Sequence, residues 1–167
     1  MLNSRFFMLI FGAAVLLLAL GCGNTSSDTT TTDGGGGGTG TINVEQAEND
    51  VWNLVNSERS KAGLSSLSRD SEIDQVAYDH SVAMRDNGYI YHTGPDGTPS
   101  SRLDAAGVSY MTCGENVAMG QTSASAVMTA WMNSDGHRAN ILNPAYTHIG
   151  VGLAMPGYYW TQVFVGR

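Results

Sequence analysis

A chain of 167 residues with 42% apolar, 8% aromatic and only 14% charged side chains has room for one ordinary domain plus appendages. Fifteen acidic residues against eight basic ones give a net charge of −7. That excludes nucleic acid as a partner and polybasic attraction to anionic lipid. Two cysteines, Cys22 and Cys113, exclude a disulfide-dense scaffold.

Arg5 precedes an uncharged run over residues 6–20. The run is shorter than the roughly twenty residues that span a bilayer, but it suits the core of a signal peptide. It ends in Leu18-Ala19-Leu20-Gly21-Cys22, which resembles the bacterial lipobox. The resemblance implies cleavage before Cys22 and lipidation of its thiol with diacylglycerol, palmitate being the expected kind of acyl chain. Ala19 stands where leucine is more usual. An ordinary secretory signal with Cys22 incidental is the alternative, but small Gly21 and the polar tract that follows favour lipidation. Residues 23–44 carry almost no apolar side chains and cannot offset the entropy of ordering. As a flexible coil they span roughly 25 Å. The expected organisation is a lipoprotein signal peptide at 1–21, lipidated Cys22 with a Gly/Thr-rich tether over 22–44, and a domain over 45–167.

In the domain, Ala47, Val51, Leu54, Val55 and Ala62 recur at helical spacing, with Gly63 as the stop. A second helix starts at Asp70 or Ser71, buries Ile73, Val76, Ala77, His80 and Met84, and ends at Asn87-Gly88. Residues 89–99, rich in Gly, Pro and His, read as a loop, and a short helix around Arg102 to Ala106 closes at Gly107. Thr122 or Ser123 caps a helix whose inner face is Ala124, Val127, Met128 and Trp131. The period then changes. Ile149, Val151 and Leu153 alternate with small residues, Pro156-Gly157 form a turn, and residues 159–165 are β-rich, which predicts a hairpin. Without helix–strand alternation a doubly wound sheet is excluded, so the class is α+β, helices on a small antiparallel sheet.

Few polar residues could carry chemistry. The four histidines are His80, His92, His137 and His148, and no HExxH, CxxC, GxSxG or P-loop pattern occurs. His92 lies on the Gly/Pro loop, Glu115 in Gly114-Glu115-Asn116-Val117-Ala118, and His137 just past the Trp131 helix. Their spacing alone does not bring them together. His80, on a buried stripe, reads as a satisfied core histidine, and His148 as a strand-end hydrogen bonder. Arg138 is expected to pair with Asp135, Asn116 to bond backbone in a tight turn, Trp131 to be core, and Cys113 to be a buried free thiol.

The domain resembles the CAP superfamily (cysteine-rich secretory proteins, antigen 5, pathogenesis-related-1), also called the SCP domain, in its bacterial subgroup. The matching stretches are Val55-Asn56-Ser57-Glu58-Arg59, His92-Thr93, Gly114-Glu115-Asn116-Val117-Ala118, Trp131-Met132-Asn133-Ser134, Gly136-His137-Arg138-Ala139-Asn140-Ile141-Leu142 and Ile149-Gly150-Val151-Gly152, in the family's order. The resemblance implies an α-β-α sandwich with a central antiparallel sheet between helical layers. It also implies an open cleft where two histidines and two glutamates converge and can hold zinc or magnesium. His92 matches the first cleft histidine, Glu115 the glutamate of the Gly-Glu-Asn motif, and His137 the second histidine. The second glutamate has no counterpart; Ser134 and Asp135 stand in its neighbourhood. Two imidazoles and one carboxylate can still ligate zinc with water in the open position.

Two functions follow. The first is an extracytoplasmic, membrane-anchored, monomeric lipoprotein of the cell envelope or surface that binds a lipid, peptide, envelope glycan or divalent metal in the His92–Glu115–His137 cleft. The alternative is a hydrolase, protease-like and possibly metal-assisted in the family's manner, with His92 or His137 as general base, Glu115 as its orienter and Ser134 as nucleophile.

Overall fold

Asn43 closes the polar tract by capping a helix, its side chain accepting from the Gln46 N–H. The computed structural model describes residues 42–167. The expectations for residues 1–21, for Cys22 and for most of the tether lie outside that span. Ile42 and Val44 already pack against the core, so the last residues of the expected tether belong to the domain.

Five helices and four strands follow: α1 Val44–Lys61, β1 Ser68–Arg69, α2 Ser71–Asn87, α3 Pro99–Ala105, β2 Thr112–Met119, α4 Ala124–Met132, α5 Asp135–Ile141, β3 His148–Ala154 and β4 Tyr159–Gly166. The expected caps are in place. Asp70 accepts from the N–H groups of Glu72 and Ile73, Gly88 ends α2 in the left-handed conformation, and Ser123 caps α4. Thr98 and Ser101 form a capping box at α3, with Pro99 in its first turn.

The sheet order is β1-β3-β4-β2. β3 and β4 form the expected hairpin, with Ile149 opposite Phe164 and Leu153 opposite Trp160. β2 runs antiparallel to β4 on the far edge, with Glu115 opposite Val163. The two-residue β1 adds a parallel pairing that no periodicity announces. Alternation along β4 divides the core. Trp160 and Phe164 meet Val51, Val55, Val127, Trp131 and Ile141 from α1, α4 and α5. Val163 and Val165 meet Ile73, Val76, Ala77 and Leu103 from α2 and α3. One sheet between two helical layers is the α-β-α sandwich expected.

α2 sits on β3 with glycines at the contact. A Cβ on Gly150 would lie 2.2 Å from the Ile73 carbonyl carbon, and one on Gly152 would lie 2.3 Å from the Tyr78 nitrogen. Those residues are small because helix backbone occupies the space. Side chains close the strand edges. Asp74 accepts from the Val151 N–H and Glu48 from the Leu153 N–H on β3. Across the sheet the Glu115 carbonyl accepts from Asn140, and the Val117 carbonyl from the Trp131 indole. Both edges are thereby blunted against pairing with another chain. Arg59, fully buried, ties α1 to the end of α5 and the loop before β3 by donating to the carbonyls of Ile141, Asn143 and Tyr146.

Candidate functional site

Glu115 sits on an edge strand, yet its side chain is only 1% exposed. Gly114 before it is required by packing, since a Cβ there would meet the Tyr146 hydroxyl at 2.3 Å. The chain therefore drives Glu115 inward, and a carboxylate removed from water must find charged or hydrogen-bonding partners.

It finds three. Oε2 accepts from Arg102 Nη2 at 2.6 Å, and Oε1 accepts from His92 Nδ1 at 2.9 Å, with His80 Nε2 lying 3.6 Å from the same oxygen. Arg102 comes from α3, and it also donates to the carbonyls of Gly97 and His92, so one guanidinium fixes both the carboxylate and the loop that carries His92. His80, fully buried on α2, has Nδ1 2.6 Å from Asp96 Oδ2 and Nε2 2.8 Å from the Tyr91 carbonyl. Both ring nitrogens lie within hydrogen-bond distance of a partner. His80 is the satisfied core histidine that its helical stripe predicts. Arg102 and Asp96 carry no motif that marks them in the sequence as members of a site.

His92 is the member that reaches solvent, its side chain being 52% exposed. Glu115 holds Nδ1, which leaves Nε2 outward. The hydrogen bond to Glu115 raises the His92 pKa above 6.5, against an opposing desolvation. His137 lies on α5, strapped to β2 by two amides. Asn116 Nδ2 donates to the His137 carbonyl, and Asn140 Nδ2 donates to Asn116 Oδ1. Partial burial pushes the His137 pKa below 6.5, and the charge of His92 lowers it further. The loops and elements thus bring His92 onto Glu115, while among the described residues no hydrogen bond joins the His137 ring to either of them.

Asn116 corrects one expectation. It lies inside β2, not in a tight turn, and bonds Gln162 Oε1 as well as the His137 carbonyl, because the strand register points it at α5 and β4. His148 starts β3 and bonds Thr147 Oγ1, and Arg138 pairs with Asp135 at 2.6 Å. Ser134 precedes α5 without a side-chain cap bond. Cys113 is a half-buried free thiol whose pKa burial pushes up, the opposite of what an activated nucleophile needs.

The donor set bears on the implied divalent cation. Glu115 has one oxygen on a guanidinium and the other on an imidazole, so a dication at that carboxylate would have to compete with the Arg102 charge already paired to it. Among the described residues, no group of three His, Cys, Asp or Glu side chains is arranged to hold a metal. The trio His92, Glu115 and His137 does not fit zinc or magnesium as its three ligands. Glu115 instead stands where an orienting carboxylate stands, behind the His92 ring.

A family model described as "CAP: Cysteine-rich secretory protein family" matches residues 52–165. The chain is 46% identical over 125 residues to the uncharacterized protein YkwD of Bacillus subtilis, covering 74% of this chain and 49% of that one. A solved extracellular protein from Bacillus anthracis that contains an SCP domain aligns with a TM-score of 0.71 and 34% identity, over 74% of this chain and 41% of that chain. An outer surface protein of Borrelia burgdorferi shares the fold at a TM-score of 0.71 and 23% identity, over 75% of this chain and 96% of that one. The chain spans about half the length of YkwD and less of the anthrax protein. The motif order, the α-β-α sandwich and these matches agree: the chain belongs to the CAP family of cysteine-rich secretory proteins.

Proposed function

We propose that this protein is an extracytoplasmic, membrane-anchored CAP module that binds a ligand through the cleft at His92, Glu115 and His137. One observation carries the reading: a half-exposed imidazole held from behind by a buried, ion-paired carboxylate. Such a ring is fixed in tautomer and direction, and presents one nitrogen to whatever enters the cleft. As its raised pKa is crossed downward it becomes a cation, which favours a ligand carrying an anionic or acceptor group. The lipobox-like Cys22 and the extracellular relative at 34% identity support the location.

The same carboxylate–imidazole pair is the orientation that a general base requires, which is what supports a hydrolase. Among the described residues, however, no serine, threonine or cysteine side chain is hydrogen-bonded to His92, and Ser134 stands at the start of α5. Binding is therefore the better reading.

The test is a screen of fatty acids, acidic peptides and envelope glycan fragments against the full chain. A ligand of this cleft shifts the His92 ring resonances and loses at least about tenfold in affinity in His92→Ala. Ligands held equally by the His92→Ala/His137→Ala variant overturn the cleft. For the anchor, Cys22→Ser moves the protein from the membrane to the soluble fraction, and unchanged partitioning overturns it.

A further inference from the structure

The loop over residues 88–98 that carries His92 is fastened to the buried network from within. The Tyr91 carbonyl lies 2.8 Å from His80 Nε2, Arg102 donates to the carbonyls of His92 and Gly97, and Gly94 and Gly97 exchange backbone hydrogen bonds. Its outward residues are nevertheless apolar. Tyr89 is 52% and Ile90 43% exposed, and the next exposed residue along the loop is His92 itself. The Tyr89 ring leans on the Tyr91 ring, centroids 5.2 Å apart and planes at 49°. Tyr91 is in turn T-shaped to the His80 ring at 5.1 Å, and Gly94 leaves it room, since a Cβ there would lie 2.2 Å from a Tyr91 ring atom. His80 Nε2 is 3.6 Å from the same Glu115 oxygen that holds His92. The tyrosine pair and the outward imidazole are thus parts of one fixed constellation. Single exposed apolar residues are ordinary, but consecutive ones on a loop fastened this firmly mark a contact surface.

We propose that Tyr89, backed by Tyr91, is a stacking platform for a pyranose ring of an uncharged glycan whose hydroxyls also reach His92, which rests on the cleft reading above and names its ligand class. A sugar ring of the β-glucose configuration has every substituent equatorial, so its faces carry only C–H groups and its hydroxyls stand around the rim. The face of a tyrosine ring is apolar and electron-rich and receives such C–H groups. His92 Nε2, which no group among the described residues holds, is free to bond a rim hydroxyl. Other occupants fit less well. An added peptide strand needs unengaged backbone groups, whereas the carbonyls of Tyr91, His92 and Gly97 and the N–H groups of Gly94 and Gly97 are already engaged within the loop and by the network. An anionic lipid surface needs free cations nearby. Arg85 at the end of α2 is paired with Asp86 and donates to the Met155 carbonyl, and the chain carries a net charge of −7.

The experiment is a titration of the full-length, nitrogen-15-labelled protein in phosphocholine micelles with cellotriose and with sorbitol, which has hydroxyls but no ring face. Cellotriose is expected to give saturable shifts at the amides of Tyr89 and His92, with saturation transfer from tyrosine ring protons to sugar C–H protons. Tyr89→Ala and His92→Ala each weaken binding at least about tenfold, the size of one aromatic stacking contact, while Tyr89→Phe stays within about threefold. Tyr89 is half in water, so Tyr89→Ala keeps a urea transition close to wild type. Absence of saturable shifts, an equal response to sorbitol, or binding that survives Tyr89→Ala overturns the proposal. A fatty acid or acidic peptide that shifts the His92 ring resonances where cellotriose does not removes the sugar alone and leaves the cleft standing. Binding lost in Tyr89→Ala but kept in His92→Ala overturns the union of platform and cleft. In nanodiscs of phosphatidylcholine and phosphatidylglycerol, broadening of the residue 88–92 amides by spin-labelled lipid that cellotriose does not relieve makes the loop a membrane contact and overturns the proposal as well.

Discussion

Replacing Arg102 by methionine keeps most of the side-chain volume and removes the guanidinium. Glu115, 1% exposed, then retains only His92 and His80 as polar neighbours. Breaking a buried ion pair from one side costs roughly 3–5 kcal/mol, because the remaining charge is left without compensation. The hydrogen bonds to the Gly97 and His92 carbonyls are lost as well, each worth about 1 kcal/mol in general, though partly counted in that range. A loss of about 4 kcal/mol is expected, which for a domain of this size lowers Tm by about 12–20 °C. Both partners are almost fully buried, so solvent screening does not discount the figure. Urea unfolding of wild type, Arg102→Met, Glu115→Gln and the double variant measures it. The double variant is expected to be more stable than Arg102→Met, with a coupling of about 2 kcal/mol or more, since the stranded carboxylate is gone. A loss below about 1 kcal/mol in Arg102→Met, or single losses that simply add, refutes the reasoning.

Three further outcomes are expected. The His92 and His137 ring protons titrate on opposite sides of pH 6.5 by NMR. Glu115→Gln lowers the His92 midpoint, and an unmoved midpoint removes the pair. The signs for stability are opposite: the His92 contribution is complete below pH 6.5 and fades as pH rises through its elevated folded value. The His137 contribution is complete above pH 6.5 and fades as pH falls through its depressed one. Gly152→Ala drives a methyl into the α2 backbone and costs about 3 kcal/mol or more. Gly136→Ala in α5 meets nothing within 4 Å and gains about 0.5 kcal/mol. Equal thermal shifts for the two glycine variants contradict the close packing of α2 on β3. Asp74→Ala strips the Val151 N–H and Arg69 of a shared partner and costs about 1–3 kcal/mol in urea unfolding, and a neutral result shows that water replaces the carboxylate there.

The helices α1, α2 and α4 were legible because each carries a 3.6-residue apolar stripe between a side-chain cap and a stop, and the β3–β4 hairpin because small and branched residues alternate around Pro156-Gly157. β2 was not. Residues Glu115 to Ala118 are all buried, so the strand shows no in–out alternation, and its polar Glu115 and Asn116 conceal its burial. α5 also went unread: it has no side-chain cap, and Ile141 is its one fully buried residue, so nothing in DGHRANI repeats. At the site, His92, Glu115 and His137 were found through the family's motifs, never through spacing. Arg102 and Asp96 were invisible because a lone charge on a short helix or loop ordinarily lies in solvent, and only the tertiary structure shows that a buried carboxylate and imidazole claim them.

Exposure along the network separates its structural part from its working part. Side-chain exposure runs from none at His80 through 1% at Glu115 and 7% at Arg102 to 52% at His92. Substitution of any interior member disturbs folding and site together, so loss of binding in such a variant says little about chemistry. His92 differs. Its Nδ1 bond is its side chain's one polar link to the network, and half of that side chain is already in water, so His92→Ala is expected to cost under about 1 kcal/mol of stability. The Glu115 carboxylate keeps Arg102 in that variant. A chemical denaturation curve close to wild type, together with lost binding of a cleft ligand, assigns the function to the outward imidazole nitrogen. A large destabilisation instead makes His92 one more internal strut, and leaves the cleft without a residue that faces its ligand.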